Sequence, residues 1–425
     1  MKRFDKLIEL FFYFFLFLLP WQTRLIIKKG ILNGGYWEWG TISLYAIDIV
    51  FFILLILNCF TRPNLKNFQF SIFNFQIVKL LVICFLIFIL LSCFWAKEKN
   101  LSFYWWLRIC QGIILFFLVQ RINFSFLKAG FSLILAGLIQ SFLSFFQFIN
   151  QSVFPSKWLG IAAQDPSQLG VSVVETVDGR FLRVYGSLSH PNILAGFLVF
   201  LIFISFILYS SVKKSWQKYF FLFSASFMSF ALFLTFSRAA WLSLIVSLFI
   251  FALFLFKKSF KNFRVSFFEF FGLILIVALI FSSLFLKDLI VRVEIKGKLE
   301  THSVKERILN IQKGIEIIKE NLFFGVGVGN YTFALYKKYP NLSSWNYQPL
   351  PNIYLLVLAE LGIIGLTLFL LILYFSLLFS VFDYQLLIVP LLILGFFDHW
   401  LFSLYFGILL FWLVLGLVWK KCENF

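Results

Sequence analysis

The sequence predicts an all-α polytopic membrane protein, about twelve transmembrane helices carrying a large, partly helical outer loop. Three observations predict it. Of 425 residues, 61% are hydrophobic and only 13% charged, whereas a soluble domain carries about 25% charged residues. Apolar runs long enough to cross roughly 30 Å of hydrocarbon, about 20 residues each, recur along the whole chain. The basic residues are also unevenly shared between the segments that join those runs, as expected where one side of a membrane retains positive charge.

The apolar runs lie near 6–22, 41–60, 77–95, 103–120, 129–149, 191–211, 218–236, 239–256, 267–286, 352–381, 384–399 and 402–419. Residues 219–256 form one block of 38 residues, which would make a helix of about 57 Å. That is too long for a single crossing, so the block folds as a hairpin with Ser237-Arg238 at its tip. Met1–Gln22 has no small-residue cleavage site after it and reads as a retained first helix. With the N-terminus inside, inner segments hold sixteen Lys and Arg, among them Arg62, Lys66, Lys258 and Lys421; outer segments hold nine, leaving aside the long 287–350 loop. Both termini are therefore expected in the cytoplasm and the long loop outside. The net charge of +18 comes mostly from the inner clusters, and the outer excess suits an anionic lipid or its phosphates. Nothing points to nucleic acid. The five cysteines, including Cys422 in the inner tail, have no metal-ligand spacing, and no disulfide is expected.

Residues 1–425 thus read as one integral membrane domain with two outer segments too long to be connectors. The first, 150–190, carries Pro155, Asp165-Pro166, Gly170 and Asp178-Gly179, which make it a loop with a short hairpin around 171–184. The second, 287–350, has Val304, Ile308, Ile311, Ile315, Ile318 and Leu322 at alternating spacings of four and three. That periodicity predicts an amphipathic helix over 303–322, started by a capping box at Ser303-Glu306 and ended by the run GVGVGN.

Several residues stand out for chemistry. Arg238 interrupts an apolar block, where a charge at mid-membrane costs about 2.5–3.5 kcal/mol on insertion scales. At a hairpin tip it reads as a ligand-facing cation or an interfacial anchor. Arg307 shares a seam with Ser303, Asn310 and Gly314 and by itself reads as solvated. In RVYGSLSHPN, where the first loop re-enters the membrane, Arg183 and His190 precede Pro191-Asn192; Pro191 suits a first helical turn with Ser189 or His190 as its cap. Glu360 lies about 12 Å into the tenth span and is either functional, protonated or paired. Asp48 is a shallower case. Asp398-His399, between the last two spans, reads as an interfacial pair or a tuned acid/base. GVGVGN lacks the Lys-Ser/Thr ending of a phosphate loop, so a nucleotide site is not expected.

Taken together, RVYGSLSHPNILAGF, TFSRAAWLSL, SVKERILNIQKGIEIIKENLFFGVGVGNY and NIYLLVLAELGIIGL resemble the O-antigen ligase and O-antigen polymerase family of bacterial envelope enzymes, most strongly over 180–366. The resemblance implies a twelve-span protein of the bacterial inner membrane. Its reaction would be metal-independent and cofactor-free, transferring a glycan from an undecaprenyl-diphosphate donor on the outer face to a glycan, lipid or protein acceptor. It implies that Arg238 and Arg307, with Arg183 in a weaker part, bind the donor diphosphate, and that Asn192, Asn352 and Glu360 support the site. The family has a histidine as base directly before the Asn that opens the tenth span. This chain has Pro351 there, in QPLPNIYL, and a proline takes up no proton. His399 with Asp398, and then His190, are the expected replacements, on access from the outer face. Two rivals remain at this point, a lipid-linked glycan flippase and a non-catalytic glycolipid binder. The first accounts less well for a capped outer helix; the second draws on Pro351.

Overall fold

A computed structural model describes residues 2–60, 72–176, 179–257, 261–294, 298–379 and 382–420. Arg62, Lys66, Asp178, Lys258, Lys421 and Cys422 lie outside the described residues.

Helix α1 (Lys2–Leu18) leads into a strand pair in which β1 (Arg24–Lys28) runs antiparallel to β4 (Ile42–Tyr45), with the two-residue strands β2 (Ile31–Leu32) and β3 (Gly35–Tyr36) between them. Then come α2 (Ala46–Cys59), α3 (Ile72–Trp95), α4 (Lys99–Arg121) and α5 (Phe126–Asn150). The first long loop forms a hairpin of β5 (Val173–Thr176) and β6 (Gly179–Leu182), where the sequence places one. Helices α6 (Pro191–Ser211), α7 (Ser215–Leu234), α8 (Arg238–Lys257) and α9 (Lys261–Leu284) follow. The second long loop holds α10 (Leu286–Glu294), α11 (Lys298–Glu320) and α12 (Tyr331–Lys338), and the chain closes with α13 (Ile353–Phe379), α14 (Phe382–Gly395), α15 (Trp400–Ser403) and α16 (Tyr405–Trp419).

The protein is mostly helical rather than all-α, because short stretches at the loop face rich in β-branched residues, such as RLIIK with ISLY and VVET with GRFL, pair as antiparallel strands. Seven of the described helices are long and apolar enough to cross a membrane: α3, α4, α5, α6, α7, α9 and α13. Four more apolar helices, in α2, α8, α14 and α16, are shorter, so the expected twelve is not reached by length and composition. The run 41–60 is divided between a strand and a helix, 384–399 stops as a helix at Gly395, and 402–419 is broken at Leu404.

Helix α6 is the axis of the bundle. It is apolar on every side, and a helix with no polar stripe belongs inside; all but its last two residues are buried. Helices α5, α7, α8, α9 and α14 pack around it. Gly130 and Gly137 of α5 meet Leu208 and Leu201 of α6, and a side chain at either glycine would collide with them; small residues allow such close approach between membrane helices. Helix α16, buried throughout, fills the second half of the core against α4, α13, α14 and α15. In contrast, α3 and α9 present many exposed apolar side chains, such as Leu80, Ile87, Leu275 and Leu279, as lipid-facing helices do.

The tenth span is not one continuous helix. At Gly362 the backbone turns to φ 65° and ψ −170°. A mid-span break strands carbonyls that must be satisfied inside the protein, and the GVGVGN loop does this. Val326 N–H donates to Ala359 O (3.0 Å), Gly327 N–H to Glu360 O (2.8 Å), and Ile363 N–H to Leu322 O (2.8 Å). Residues 321–330 are thus stitched into α13; GVGVGN reads from sequence as a tight turn with its backbone close to a neighbour, and α13 is that neighbour.

Helix α11 begins at Lys298, upstream of Ser303, because Lys-Leu-Glu there are good helix formers that need no cap at Ser303. Its stripe is only partly covered: Ile317 and Ile318 are buried and Ile311 half-buried, while Ile308, Ile315 and Leu322 are exposed.

A buried ion pair secures the loop-face end of α2, α4 and α16. Arg108 Nη1 lies 2.8 Å from Asp48 Oδ1, with both side chains no more than 5% exposed. Asp48 also accepts from the Tyr405 hydroxyl (2.5 Å) and the Tyr45 N–H (2.9 Å). The guanidinium faces the rings of Tyr45, Tyr104 and Tyr405. Losing one partner of a buried pair costs about 3–5 kcal/mol. Asp48→Ala is therefore expected to lower the unfolding temperature of the purified protein; an unchanged melting curve would show that the pair does not hold these helices.

Candidate functional site

Four separate stretches of sequence meet at the loop face. The first is the α7–α8 turn. Phe236 there has φ 48°, an uncommon conformation for a side-chain-bearing residue, and two arginines hold the turn through its carbonyls. Arg183 Nε donates to Thr235 O (2.7 Å) and Arg292 Nε to Phe236 O (3.0 Å). Arg238 opens α8 at this turn and donates from Nη1 to Arg292 O (3.1 Å). Three guanidiniums therefore gather around four residues of backbone. Arg183 and Arg292 are buried, and Arg238 is half-buried. Arg292, one basic residue among ten in the long loop, was not distinguishable by sequence. Its signal is the short amphipathic helix LKDLIVRVE, which puts a charge among apolar neighbours.

The second stretch is the start of α6. Arg183 Nη2 donates to Asn192 Oδ1 (2.7 Å), and Asn192 Nδ2 lies 3.3 Å from Asp398 Oδ2. Asn192 thus bridges an arginine and an aspartate. His190 caps α6, with Nδ1 accepting the Asn192 N–H (3.1 Å) and Nε2 lying 3.1 Å from Ser172 Oγ. Both ring nitrogens are occupied. Burial, followed by the charge of Arg183, holds this imidazole well below its ordinary pKa, so it stays neutral.

The third stretch is the turn after α14. Asp398 Oδ1 accepts the backbone N–H of His399 (2.8 Å). His399 Nδ1 lies 2.6 Å from Ser403 Oγ, and Ser403 Oγ lies 3.1 Å from the His399 carbonyl, to which its hydroxyl donates. The serine then accepts from Nδ1–H, which fixes the tautomer that leaves Nε2 as the acceptor nitrogen. No hydrogen bond occupies Nε2 among the described residues. The ring of Trp39 stands edge-on to the imidazole, 5.2 Å between centres. Burial keeps His399 below its ordinary 6.5, with Arg307 adding to this and Asp398 opposing it. Burial also raises the Asp398 carboxyl, but His399, His190 and Arg307 more than offset it, so Asp398 is ionised at neutral pH.

The fourth stretch is α11. Arg307 is exposed, and it stands close enough for its charge to act on His190, Asp398 and His399. The long loop thus brings a cation near the second and third stretches.

Two expected supporting residues lie at the edges. Asn352 Oδ1 accepts from Leu355 N–H (2.9 Å), capping α13, while its Nδ2 donates to Phe396 O (3.1 Å). Pro351 therefore stands just before the helix rather than in its first turn, and its neighbour holds the turn that carries Asp398 and His399. Glu360 is buried, and its Oε2 accepts from Gly329 N–H (2.8 Å). It belongs to the break in α13 and has no arginine partner among the described residues.

Comparison with known proteins adds one match. No curated protein matches the chain. Residues 223–370 match the family model described as O-antigen ligase. The match takes in Arg238, Arg307, Pro351 and Glu360, and it stops short of His190 on one side and Asp398-His399 on the other. The resemblance read from the sequence is thus shown on this segment, residues 223–370, by its match to the O-antigen ligase family model.

Proposed function

We propose that this protein transfers a glycan from a polyprenyl-diphosphate carrier to an acceptor hydroxyl at the outer face of a bacterial inner membrane. Both termini would then be cytoplasmic and the two long loops external. The observation that carries the reading is the contact between Asn352 and the Phe396 carbonyl. It ties the residue after Pro351, where the resemblance calls for a basic histidine, to Phe396, two residues before Asp398, and this supports His399 as the replacement for the missing base.

In this mechanism the acceptor oxygen attacks the anomeric carbon from the side opposite the diphosphate, which inverts that centre. The new C–O bond forms as the bond to the diphosphate oxygen breaks. The acceptor proton passes to His399 Nε2. The bonding electrons leave with the diphosphate, whose growing charge is stabilised by Arg238 and Arg307, since fixed guanidiniums hold phosphate oxygens bidentately without reorganisation. Arg183 and Arg292 position the turn that presents Arg238. Asp398 balances the imidazolium as it forms, and Asn192 links the two halves. His190, with both nitrogens engaged, serves as a cap.

Reconstitution with a polyprenyl-diphosphate oligosaccharide tests the proposal. Release of free polyprenyl diphosphate together with glycosylated acceptor is expected. Translocation without release would make the protein a flippase, and binding alone would make it a glycolipid receptor; either result overturns the assignment.

A further inference from the structure

The exposed apolar row on α5 does not end with the helix. Leu135, Phe142, Phe146 and Ile149 are exposed, and their spacings of 7, 4 and 3 put them on one face of this apolar helix. Just beyond its last turn Phe154, itself exposed, meets Phe146 edge-on, with 6.1 Å between ring centres. Four residues later stands Trp158, 87% exposed, with the exposed Lys157 beside it.

The turn that presents this indole is built rather than loose. Val153 and Gln164 exchange two backbone hydrogen bonds (2.9 and 3.3 Å), and so do Ser156 and Ile161 (2.9 Å each). Residues 153–164 therefore close on themselves, with Lys157 and Trp158 near the tip. The Trp158 carbonyl accepts from the Thr23 hydroxyl (2.7 Å). Gly160, at φ +67°, lets the turn lie against Gln22 and Thr23, whose backbone a Cβ there would strike. On the inner side Val153 and Ile161 pack with Leu182 and Tyr185 in a small core separate from the main one. Those last two residues bracket Arg183.

We propose that the 153–164 turn is a membrane anchor, with Trp158 and Phe154 set into the boundary between headgroups and acyl chains of the leaflet at the loop face, and Lys157 on the lipid phosphates. Tryptophan favours that layer because its body is apolar while its N–H is polar. A lysine there lays its stem along apolar surface and carries its charge to the phosphates. Lipid is the occupant by continuity, since the turn extends the face that α5 exposes along its length as a span. Because the small core joins the turn to Leu182 and Tyr185, the anchor sets the depth at which Arg183 grips the α7–α8 turn through Thr235 O. This contact goes beyond the transferase reading and does not depend on it.

The test uses the full-length protein, freed of its native cysteines and carrying Lys157→Cys, in nanodiscs of phosphatidylethanolamine and phosphatidylglycerol. An environment-sensitive fluorophore on that cysteine is expected to emit at shorter wavelength than the free dye. It should lose most of its emission to a nitroxide at the top of the lipid acyl chains and be shielded from aqueous iodide. Adding Trp158→Asp should weaken the lipid quenching and restore access to iodide. The melting temperature should stay unchanged, since the indole it removes is exposed. Quenching by iodide and not by the lipid nitroxide overturns the anchor. So does shielding from both, which a second copy of the chain or another protein would give. Lipid quenching that survives Trp158→Asp overturns it as well, because the indole would then not be what holds the turn in the leaflet.

Discussion

Replacing His399 with glutamine is expected to lower the rate of transfer about 10²–10⁴-fold, the usual worth of a general base. Glutamine keeps a polar side chain beside Ser403, so the protein should remain folded and continue to bind the donor. The loss should therefore appear in kcat, with the donor KM nearly unchanged. The wild-type pH profile supplies an independent check. His399 must be neutral to accept a proton, and burial holds its pKa below 6.5. Activity should be full at neutral pH and fall only as the pH drops through a value below 6.5, when the imidazole protonates. A variant with wild-type kcat, or an acid limb centred above 6.5, would remove His399 from the mechanism.

The second large effect concerns the two arginines. Arg238→Ala and Arg307→Ala are each expected to cost about 10²–10³-fold in transfer, as the loss of one fixed charge-stabilising donor does. Lysine should rescue poorly at either position, because a point charge cannot reproduce bidentate contact with phosphate oxygens. Since Arg238 also donates to Arg292 O, its variants should be compared by size-exclusion profile and melting temperature; a folded, inactive Arg238→Lys separates the phosphate role from the structural one. Arg307 is exposed at the surface of α11, so its loss should leave stability unaltered. Full activity in both alanine variants would rule out this account of the leaving group.

How much of this was legible in the sequence depends on the range over which each signal acts. The hairpin tip at Arg238 and the β5–β6 hairpin were readable because length and turn chemistry are local. The start of α6 was too: Ser189 and His190 were its two possible caps, and the ring of His190 fills the place. The meeting of Arg183 with Asn192 and Asp398 depends on residues 9 and 206 positions further along the chain from one another, which no periodicity encodes. Arg292 looked like an ordinary loop cation because its partner, the Phe236 carbonyl, is created by a turn 56 residues earlier. The exposed half of the α11 stripe shows the opposite limit: spacing predicts which residues share a face, and not whether anything covers it. The break at Gly362 is not legible in the sequence because an uninterrupted apolar run reads as one helix. What satisfies its carbonyls is a glycine-rich loop some 35 positions away, and glycine spacing alone does not name a partner.

That stitched junction has a mechanical consequence. With residues 321–330 riveted to α13, α11 becomes an arm projecting from a fixed pivot. Arg307 stands thirteen residues before the arm's end at Glu320, about 20 Å away at 1.5 Å per residue. A tilt of about 5° at the pivot would sweep its guanidinium through about 1.7 Å, and a displacement of about 1 Å at a reacting centre can cost on the order of 10²-fold in rate. In the proposed reaction the rivet would therefore act as a rangefinder, setting how far the cation on this arm stands from the leaving group.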